Sequence, residues 1–185
     1  MDVILSFLGL ILLSPVLLIV ALRVYLLDKG PVIYSQERIG FNGKPFRIYK
    51  FRSMIVNAEP DMPLLSSDDD PRITRLGKMM RKWRLDELPQ LWNILIGDMS
   101  LVGPRPERKY FIGQIAVHAP RYSELLAVRP GLTSWGMVQF GYAHNVDEMI
   151  ARSKFDIEYI DKISFPFDLK VMIYTLKIIL QGKGI

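Results

Sequence analysis

From Val3 to Leu22 the chain carries no charged side chain, and Asp2 and Arg23 bound this apolar run. At 1.5 Å per helical residue it matches a hydrocarbon core of about 30 Å, so the pattern predicts a membrane element. Ser14-Pro15 falls in its middle. Proline lacks the amide hydrogen and clashes with the preceding turn, and a serine hydroxyl can cap a carbonyl that the break frees. Two half-helices are expected, either as a kinked span or as a re-entrant element that enters and leaves by one leaflet. A cleavable signal peptide is the competing reading, but the start has no basic n-region and no small-residue cleavage site follows the apolar run. If the element spans, Arg23, Lys29 and Arg38 place the body in the cytoplasm.

After Gly30-Pro31 the pattern changes. Ile33 to Gln36 and Phe46 to Phe51 have strand composition, and Asn42-Gly43 between them is a tight-turn signal, so a hairpin is expected with Lys50 and Arg52 on its polar side. The stretch from Asn57 to Asp70 reads as a mobile polar loop, with Pro60, Pro63 and the run Asp68-Asp69-Asp70, which suits a solvated loop or helix cap better than a metal site. From Arg72 to Arg84 the chain is densely basic, with Ile73, Leu76, Met79, Met80 and Trp83 along one helical face. Such a helix fits either a lipid headgroup interface or a protein core. Leu88, Leu91, Trp92 and Leu95 predict a helix from about Asp86 to Gly97. Leu169, Met172, Ile173, Leu176, Ile179 and Leu180 predict a last one, with Gly182 as its stop. No repeat, low-complexity tract or interdomain linker is visible, so one domain is expected.

The 185 residues are 50% hydrophobic and 23% charged, and the mean hydropathy is +0.17. That is more apolar content than one modest soluble core requires, and interfacial helices account for the surplus. No cysteine occurs, which removes thiolate nucleophiles, disulfides, iron–sulfur clusters and the common zinc sites. The two histidines, His118 and His144, stand in no ligand spacing, so acid–base work falls to carboxylates. A net charge of +5 suits an anionic partner.

Against this background the stretch Arg84-Leu85-Asp86-Glu87-Leu88-Pro89-Gln90 carries the candidate chemistry. An Asp at a helix start followed by Pro is an ordinary cap, yet a helix N-terminus also favours an ionised carboxylate and any phosphate docked beside it. In Gly103-Pro104-Arg105-Pro106 the prolines restrict the backbone, presenting a guanidinium fork at little entropic cost, and Arg129-Pro130-Gly131 repeats the device more weakly. Together with Lys50 and Arg52 these make a charge-neutralising cluster for phosphate. Neither Walker nor GxGxxG spacing is present, which disfavours a kinase, an ATPase or a dinucleotide enzyme.

Lys50-Phe51-Arg52-Ser53-Met54, Asp70-Pro71-Arg72-Ile73-Thr74, the Arg84 to Gln90 motif, the run Gly97 to Glu107 and Arg129-Pro130-Gly131-Leu132-Thr133 together resemble the bacterial sugar transferases, the monotopic polyprenyl-phosphate phosphoglycosyl transferases. The resemblance continues through Ser164, Asp168 and the terminal Gly182-Lys183-Gly184. It implies an α+β fold in a single catalytic domain over 1–185. A re-entrant helix over 1–27, broken at Ser14 and Pro15, precedes a cytoplasmic, interface-associated body over 28–185 with amphipathic helices and a small antiparallel hairpin. The implied activity is transfer of a sugar-1-phosphate from a UDP-sugar to polyprenyl (undecaprenyl) phosphate, releasing UMP, as a first membrane step in glycoconjugate or exopolysaccharide synthesis. The residue matching the family nucleophile is Asp86, which would form a covalent phosphosugar intermediate with Glu87 assisting. Mg²⁺ is the implied cofactor, with Asp86 as its ligand, and Lys50, Arg52, Arg84, Arg105 and Arg129 are the expected substrate-binding cations. Partners are the two substrates and the lipid bilayer, at the cytoplasmic face of the bacterial inner membrane.

The chain departs from the family pattern in three ways. It begins almost directly with the membrane helix, where relatives carry a short basic stretch; Ser134 stands where glycine is commoner; and the segment from Trp135 to Tyr142 differs from that of small relatives, leaving the sugar-recognition surface open. Longer relatives attach this unit to a multi-helix membrane domain, so a small complete enzyme and a catalytic portion are both expected forms. Two competing functions have distinct signatures. A non-catalytic adaptor for phosphorylated lipids would not depend on Asp86, and a nucleic-acid binder is disfavoured by the lipid-competent N-terminus and the lack of a nucleic-acid motif.

Overall fold

The computed structural model describes residues 1–59, 63–67 and 69–182. Pro60 and Asp68 of the expected loop, and Lys183 and Gly184 of the terminal motif, lie outside the described residues. The break at Ser14-Pro15 is present: α1 (Asp2–Leu12) and α2 (Ser14–Asp28) meet at 62°. Pro15 occupies the first turn of α2, where its missing N–H costs nothing, and Ser14 Oγ donates to Ile11 O at 2.7 Å, capping a carbonyl beside the break. Among the described residues no single helix is long and apolar enough to cross a membrane, and this bent pair passes that test only jointly.

Both arms rest on the body. In α2, Val20 and Val24 pack with Phe51 and Met80, while Leu10 and Leu13 cover a cluster of Ile48, Leu91, Ile94 and Met99. The outward sides of the arms expose Ile4, Leu12, Leu18, Leu22 and Leu26. Asp2 anchors the start by accepting from Ser100 Oγ at 2.6 Å.

The hairpin forms as expected and runs longer: β1 (Ile33–Ile39) pairs antiparallel with β2 (Pro45–Phe51) across a turn in which Asn42 and Gly43 take φ of 56° and 72°. The basic segment forms a shorter helix than its pattern suggests. α3 (Arg75–Lys82) starts where Thr74 Oγ accepts from Gly77 N, and Ile73 instead bridges to Met54 as extended backbone. α3 presses so close that a Cβ on Gly77 would collide with the carbonyl of Ser53. Met80 is buried, while Met79 and Trp83 reach the surface.

The expected helix from Asp86 to Gly97 is also corrected. Asp86 lies inside a 3-10 turn (Leu85–Glu87) rather than at a cap, and α4 covers Gln90–Leu95. Its inner side is Leu91 and Ile94, and Trp92 faces out. Asn93 sets this rotation: fully buried, it accepts from Tyr49 N and donates to Arg47 O, binding α4 to the free edge of β2.

A second sheet escaped the pattern reading: β3 (Ser100–Val102) and β4 (Gly131–Thr133) pair in parallel. α5 (Lys109–His118), a 3-10 turn (Pro120–Ala127), α6 (Trp135–Gln139), α7 (Val146–Asp161) and α8 (Phe165–Leu180) complete the fold. One core lies under α5 and α7, with Phe111, Ile115, Tyr122 and Met149; another joins Val102, Trp135, Tyr159 and Val171. The apolar stripe predicted for α8 is there, but Leu169, Ile173, Leu176 and Leu180 face outward.

Candidate active site

Three elements converge on the acidic pair. Strand β2 delivers Lys50, the turn before α4 delivers Arg84, Asp86 and Glu87, and the segment after β3 delivers Arg105. Arg84 takes a left-handed conformation (φ 51°, ψ 26°), a strain of about 1 kcal/mol for a side-chain-bearing residue. That reversal ends α3 and folds the Arg84 side chain back onto the turn that follows.

Glu87 is buried and ion-paired to three cations: Lys50 Nζ at 2.7 Å and Arg105 Nη2 at 3.2 Å on Oε1, and Arg84 Nη2 at 3.1 Å on Oε2. Burial alone would raise its pKa, but Arg84, Lys50 and Arg105 together outweigh it and hold the carboxyl well below the usual range. A carboxylate held so firmly ionised is a poor base. It organises cations.

Asp86 is its opposite. It too is buried, at 6% exposure, yet among the described residues no group hydrogen-bonds or ion-pairs with its carboxylate. Burial raises its pKa, the neighbouring charge of Glu87 adds to that, and Lys50, Arg81 and Arg84 oppose it. A largely buried carboxylate with few hydrogen-bond donors around it is a strong nucleophile once ionised. Its surroundings hold three nearby cations against Glu87, an excess of positive charge where a phosphate would sit.

The Pro-Arg-Pro and Arg-Pro-Gly segments lie side by side, which explains their glycines. Ser100 N donates to Pro130 O, Gly131 N to Pro104 O and Gly103 N to Thr133 O, and a Cβ on Gly103 or Gly131 would strike the facing backbone. Glu107, next in the chain, accepts from Arg152 Nη2 at 2.6 Å and pairs with Arg38 at 3.2 Å, while Asp156 accepts from Gly136 N and Arg105 N. Burial pushes the Asp156 carboxyl up to about 6.

The expected cations separate in the structure. Lys50, Arg84 and Arg105 meet at Glu87. Arg52 does not join them: it lies beyond the end of β2, is buried, and its Nη2 donates to Lys29 O at 3.1 Å, fastening the end of α2 to the body. Its Nε and Nη1 have no partner among the described residues. Arg129 is exposed, and its guanidinium makes no ion pair or hydrogen bond among the described residues. Of the triple aspartate, Asp70 is buried and chelates Arg72, whose guanidinium holds Ala58 O and Leu65 O; the Arg72 bonds pull the Asp70 pKa down to about 2. That is a buried loop staple where the pattern predicts a solvated loop or helix cap; Asp69 beside it is solvated, as the pattern predicts. Sequence reasoning missed Tyr142, whose ring lies 5.8 Å from the Arg84 guanidinium carbon and 5.4 Å from that of Arg105. It also missed Arg81, whose charge reaches Asp86 and whose Nε donates to Ser53 Oγ.

Among the described residues no group of three or more carboxylates, histidines or cysteines is placed to hold a metal. Mg²⁺ does not require one, since it binds through one or two carboxylates completed by water and substrate phosphates. Asp86, the carboxylate left unpaired here, fits that arrangement; Glu87, claimed by three cations, does not.

A family model described as bacterial sugar transferase matches residues 1–182. A protein of Aeromonas hydrophila named UDP-N-acetylgalactosamine-undecaprenyl-phosphate N-acetylgalactosaminephosphotransferase is 41% identical over 100% of this chain and 44% of its own length. One of Escherichia coli named UDP-glucose:undecaprenyl-phosphate glucose-1-phosphate transferase is 39% identical over 95% of this chain and 38% of its own. The chain thus spans about two-fifths of these relatives. A shorter Bacillus subtilis protein, named putative undecaprenyl-phosphate N-acetylgalactosaminyl 1-phosphate transferase, is 43% identical over 68% of this chain and 70% of its own length.

Proposed function

The chain belongs to the bacterial sugar transferase family, and from that premise we propose that it transfers a sugar-1-phosphate from a UDP-sugar to undecaprenyl or another polyprenyl phosphate, with Asp86 as the nucleophile. The observation that carries this reading is the contrast within the acidic pair: one buried carboxylate without a partner among the described residues, beside another that gathers three cations. An Asp86 oxygen attacks the phosphorus that bears the sugar, and the bond from that phosphorus to the bridging oxygen breaks, so UMP leaves with the electron pair. An oxygen of the polyprenyl phosphate then attacks the same phosphorus, restoring the Asp86 carboxylate and leaving a polyprenyl-diphosphate sugar.

Arg84, Arg105 and Lys50 receive the diphosphate charge, which would otherwise repel an approaching carboxylate. Bound Mg²⁺, held by Asp86 and the donor phosphates, would further offset that charge. A covalent intermediate suits a soluble donor and a lipid acceptor, because the two need not meet at once.

The same proposal places the site on a membrane. The bent α1–α2 pair with its apolar outer surface, the outward Trp92 of α4 and Ile96 just after it, beside the α1 that packs on α4, and the outward stripe of α8 support a monotopic, re-entrant association with one leaflet. Arg23, Lys29 and Arg38 beyond the apolar run favour the cytoplasmic face of the bacterial inner membrane.

The test is UMP release from a panel of UDP-sugars with undecaprenyl phosphate and Mg²⁺, together with intact-mass analysis after incubation with donor alone. Turnover and an adduct of one phosphosugar are expected for the native chain, and neither for Asp86→Asn. Undiminished turnover by Asp86→Asn removes the proposed nucleophile, and a native chain that turns over none of the donors leaves the lipid-binding adaptor as the better reading.

A further inference from the structure

Arg84 and Arg105 each reach a different carboxylate oxygen of Glu87, through a single terminal nitrogen each. One negative charge shared by Lys50 and two guanidinium groups leaves the arginines repelling each other, and a single nitrogen on Glu87 does not fix the orientation of a guanidinium plane. The ring of Tyr142 closes the arrangement. Both guanidinium groups stand within 6 Å of its centroid, and Arg84 Nη2 reaches the Tyr142 hydroxyl at 3.5 Å. An aromatic face attracts cations through its quadrupole, most strongly where water is scarce, and Arg84 is buried while Arg105 is largely so.

Tyr142 is itself well fixed. Gly141 (φ 90°) turns the chain after α6 with its N–H on Met137 O. Ala143 is buried in the core beneath α7, and His144 N donates to Glu148 Oε2 as α7 begins. The half-buried tyrosine is therefore presented from a short, pinned connection. Arg84 Nε is buried and has no partner among the described residues, so the frame leaves one oriented donor for an incoming oxygen.

We infer that Tyr142 is a positioning residue for the donor half of the reaction: it holds Arg84 and Arg105 at the spacing in which they accept the diphosphate of a UDP-sugar. This rests on the function proposed above. Because the ring rather than the hydroxyl carries most of the attraction, Phe replaces Tyr142 and an aliphatic side chain does not. Glu87 must release part of its hold when a diphosphate arrives, and the ring then keeps the two arginines from following the carboxylate.

The full chain in detergent, with UDP as the probe, separates this inference from the reaction it rests on. Calorimetric UDP affinity is expected to fall about tenfold in Tyr142→Leu, the loss of two partly buried cation–π contacts, and to stay within threefold of native in Tyr142→Phe. In turnover, Tyr142→Leu raises the donor KM by a similar factor, leaving the KM for undecaprenyl phosphate and the thermal midpoint near native. Native UDP affinity in Tyr142→Leu, or equal losses for Leu and Phe, or equal losses toward donor and acceptor, overturns the role given to Tyr142. If the native chain turns over no UDP-sugar although UDP binds and the binding depends on the ring, the proposed reaction fails while the arginine frame stands.

Discussion

Two buried charge clusters meet at the Pro-Arg-Pro segment, where Arg105 belongs to one and Glu107 to the other, and they are built to different rules. Around Glu107 the count balances: Arg38 and Arg152 face Glu107 and Asp156, and the groups are tied among themselves or to backbone, with Arg38 Nε unpartnered among the described residues. Around Glu87 it does not balance, since Lys50, Arg84 and Arg105 crowd one carboxylate while Asp86, next to it, takes no partner among the described residues. A closed network is a scaffold. An open one, with excess positive charge and a carboxylate unbonded among the described residues, is waiting for an anion.

Substitution at the open cluster should cost activity, and at the closed one stability. The largest effect is at Asp86: replacing an attacking oxygen by an amide is expected to lower turnover by at least about 10⁴-fold, with the thermal midpoint unchanged or raised, because the amide removes a desolvated charge. Glu87→Gln leaves three cations without their counter-charge. Lys50 and Arg105 keep about a fifth of their side-chain surface in water and can hydrate, so turnover is expected to fall roughly 10² to 10³-fold, the scale of a lost electrostatic group, with a modest stability loss. Its pH profile should keep its shape, since a carboxylate so firmly ionised is not the titrating base. A profile that loses its acidic limb in Glu87→Gln makes Glu87 a general base instead.

Glu107→Gln reverses the pattern. Arg152 and Glu107 are each only 7% exposed at the side chain, and removing one partner of such a pair costs about 3–5 kcal/mol. Thermal melting should show the loss plainly, while residual folded protein keeps its donor KM. Should Glu107→Gln instead melt like native, the scaffold reading of this cluster is wrong.

Asp156 sharpens the comparison through pH. Its carboxyl is raised from 3.8 to about 6 by burial, against the backbone bond from Gly136 and the charge of Arg152. The folded state therefore holds this proton more tightly than the unfolded chain, so between about pH 4 and 6 its contribution to stability falls as pH rises, by about 3 kcal/mol in all. In Asp156→Asn that slope should vanish from the melting midpoint between pH 4 and 6. Asp86 runs the same way in direction, but its readout is the rate: the first chemical step should grow as pH climbs through its elevated pKa and the attacking carboxylate ionises.

The open cluster was largely legible in the sequence and the closed one was not, for a physical reason. The break at Ser14-Pro15, the hairpin turn at Asn42-Gly43, the acidic pair and the Pro-Arg-Pro segment announce themselves through residues whose backbone or charge requirements are local. Arg38, Arg152 and Asp156 come together only through tertiary packing across more than a hundred residues, and nothing local marks them. The parallel pair β3 and β4 is three residues long on each side and too short to show a period. Arg52 misled for the same reason: its spacing from Lys50 puts both on one face of a strand, but the strand ends at Phe51, and the chain turns Arg52 inward toward Lys29 O.

Arg129 gives the smallest expected effect and the finest discrimination. Sequence spacing grouped it with Arg105 as a phosphate ligand, and the structure shows its segment doing something else: Pro130 O accepts from Ser100 N, and Gly131 N donates to Pro104 O. The backbone around Arg129 thus holds the Pro-Arg-Pro segment in place, while the exposed guanidinium has no partner among the described residues. On that basis Arg129→Ala should change turnover less than about threefold, as for most surface substitutions. Gly131→Ala, which drives a methyl into the backbone of Gly103, should lower both melting temperature and turnover. A loss above tenfold in Arg129→Ala with an unchanged melting temperature would mean that the side chain swings onto the donor when it binds, and Arg129 would then rejoin Arg84 and Arg105 in the open cluster.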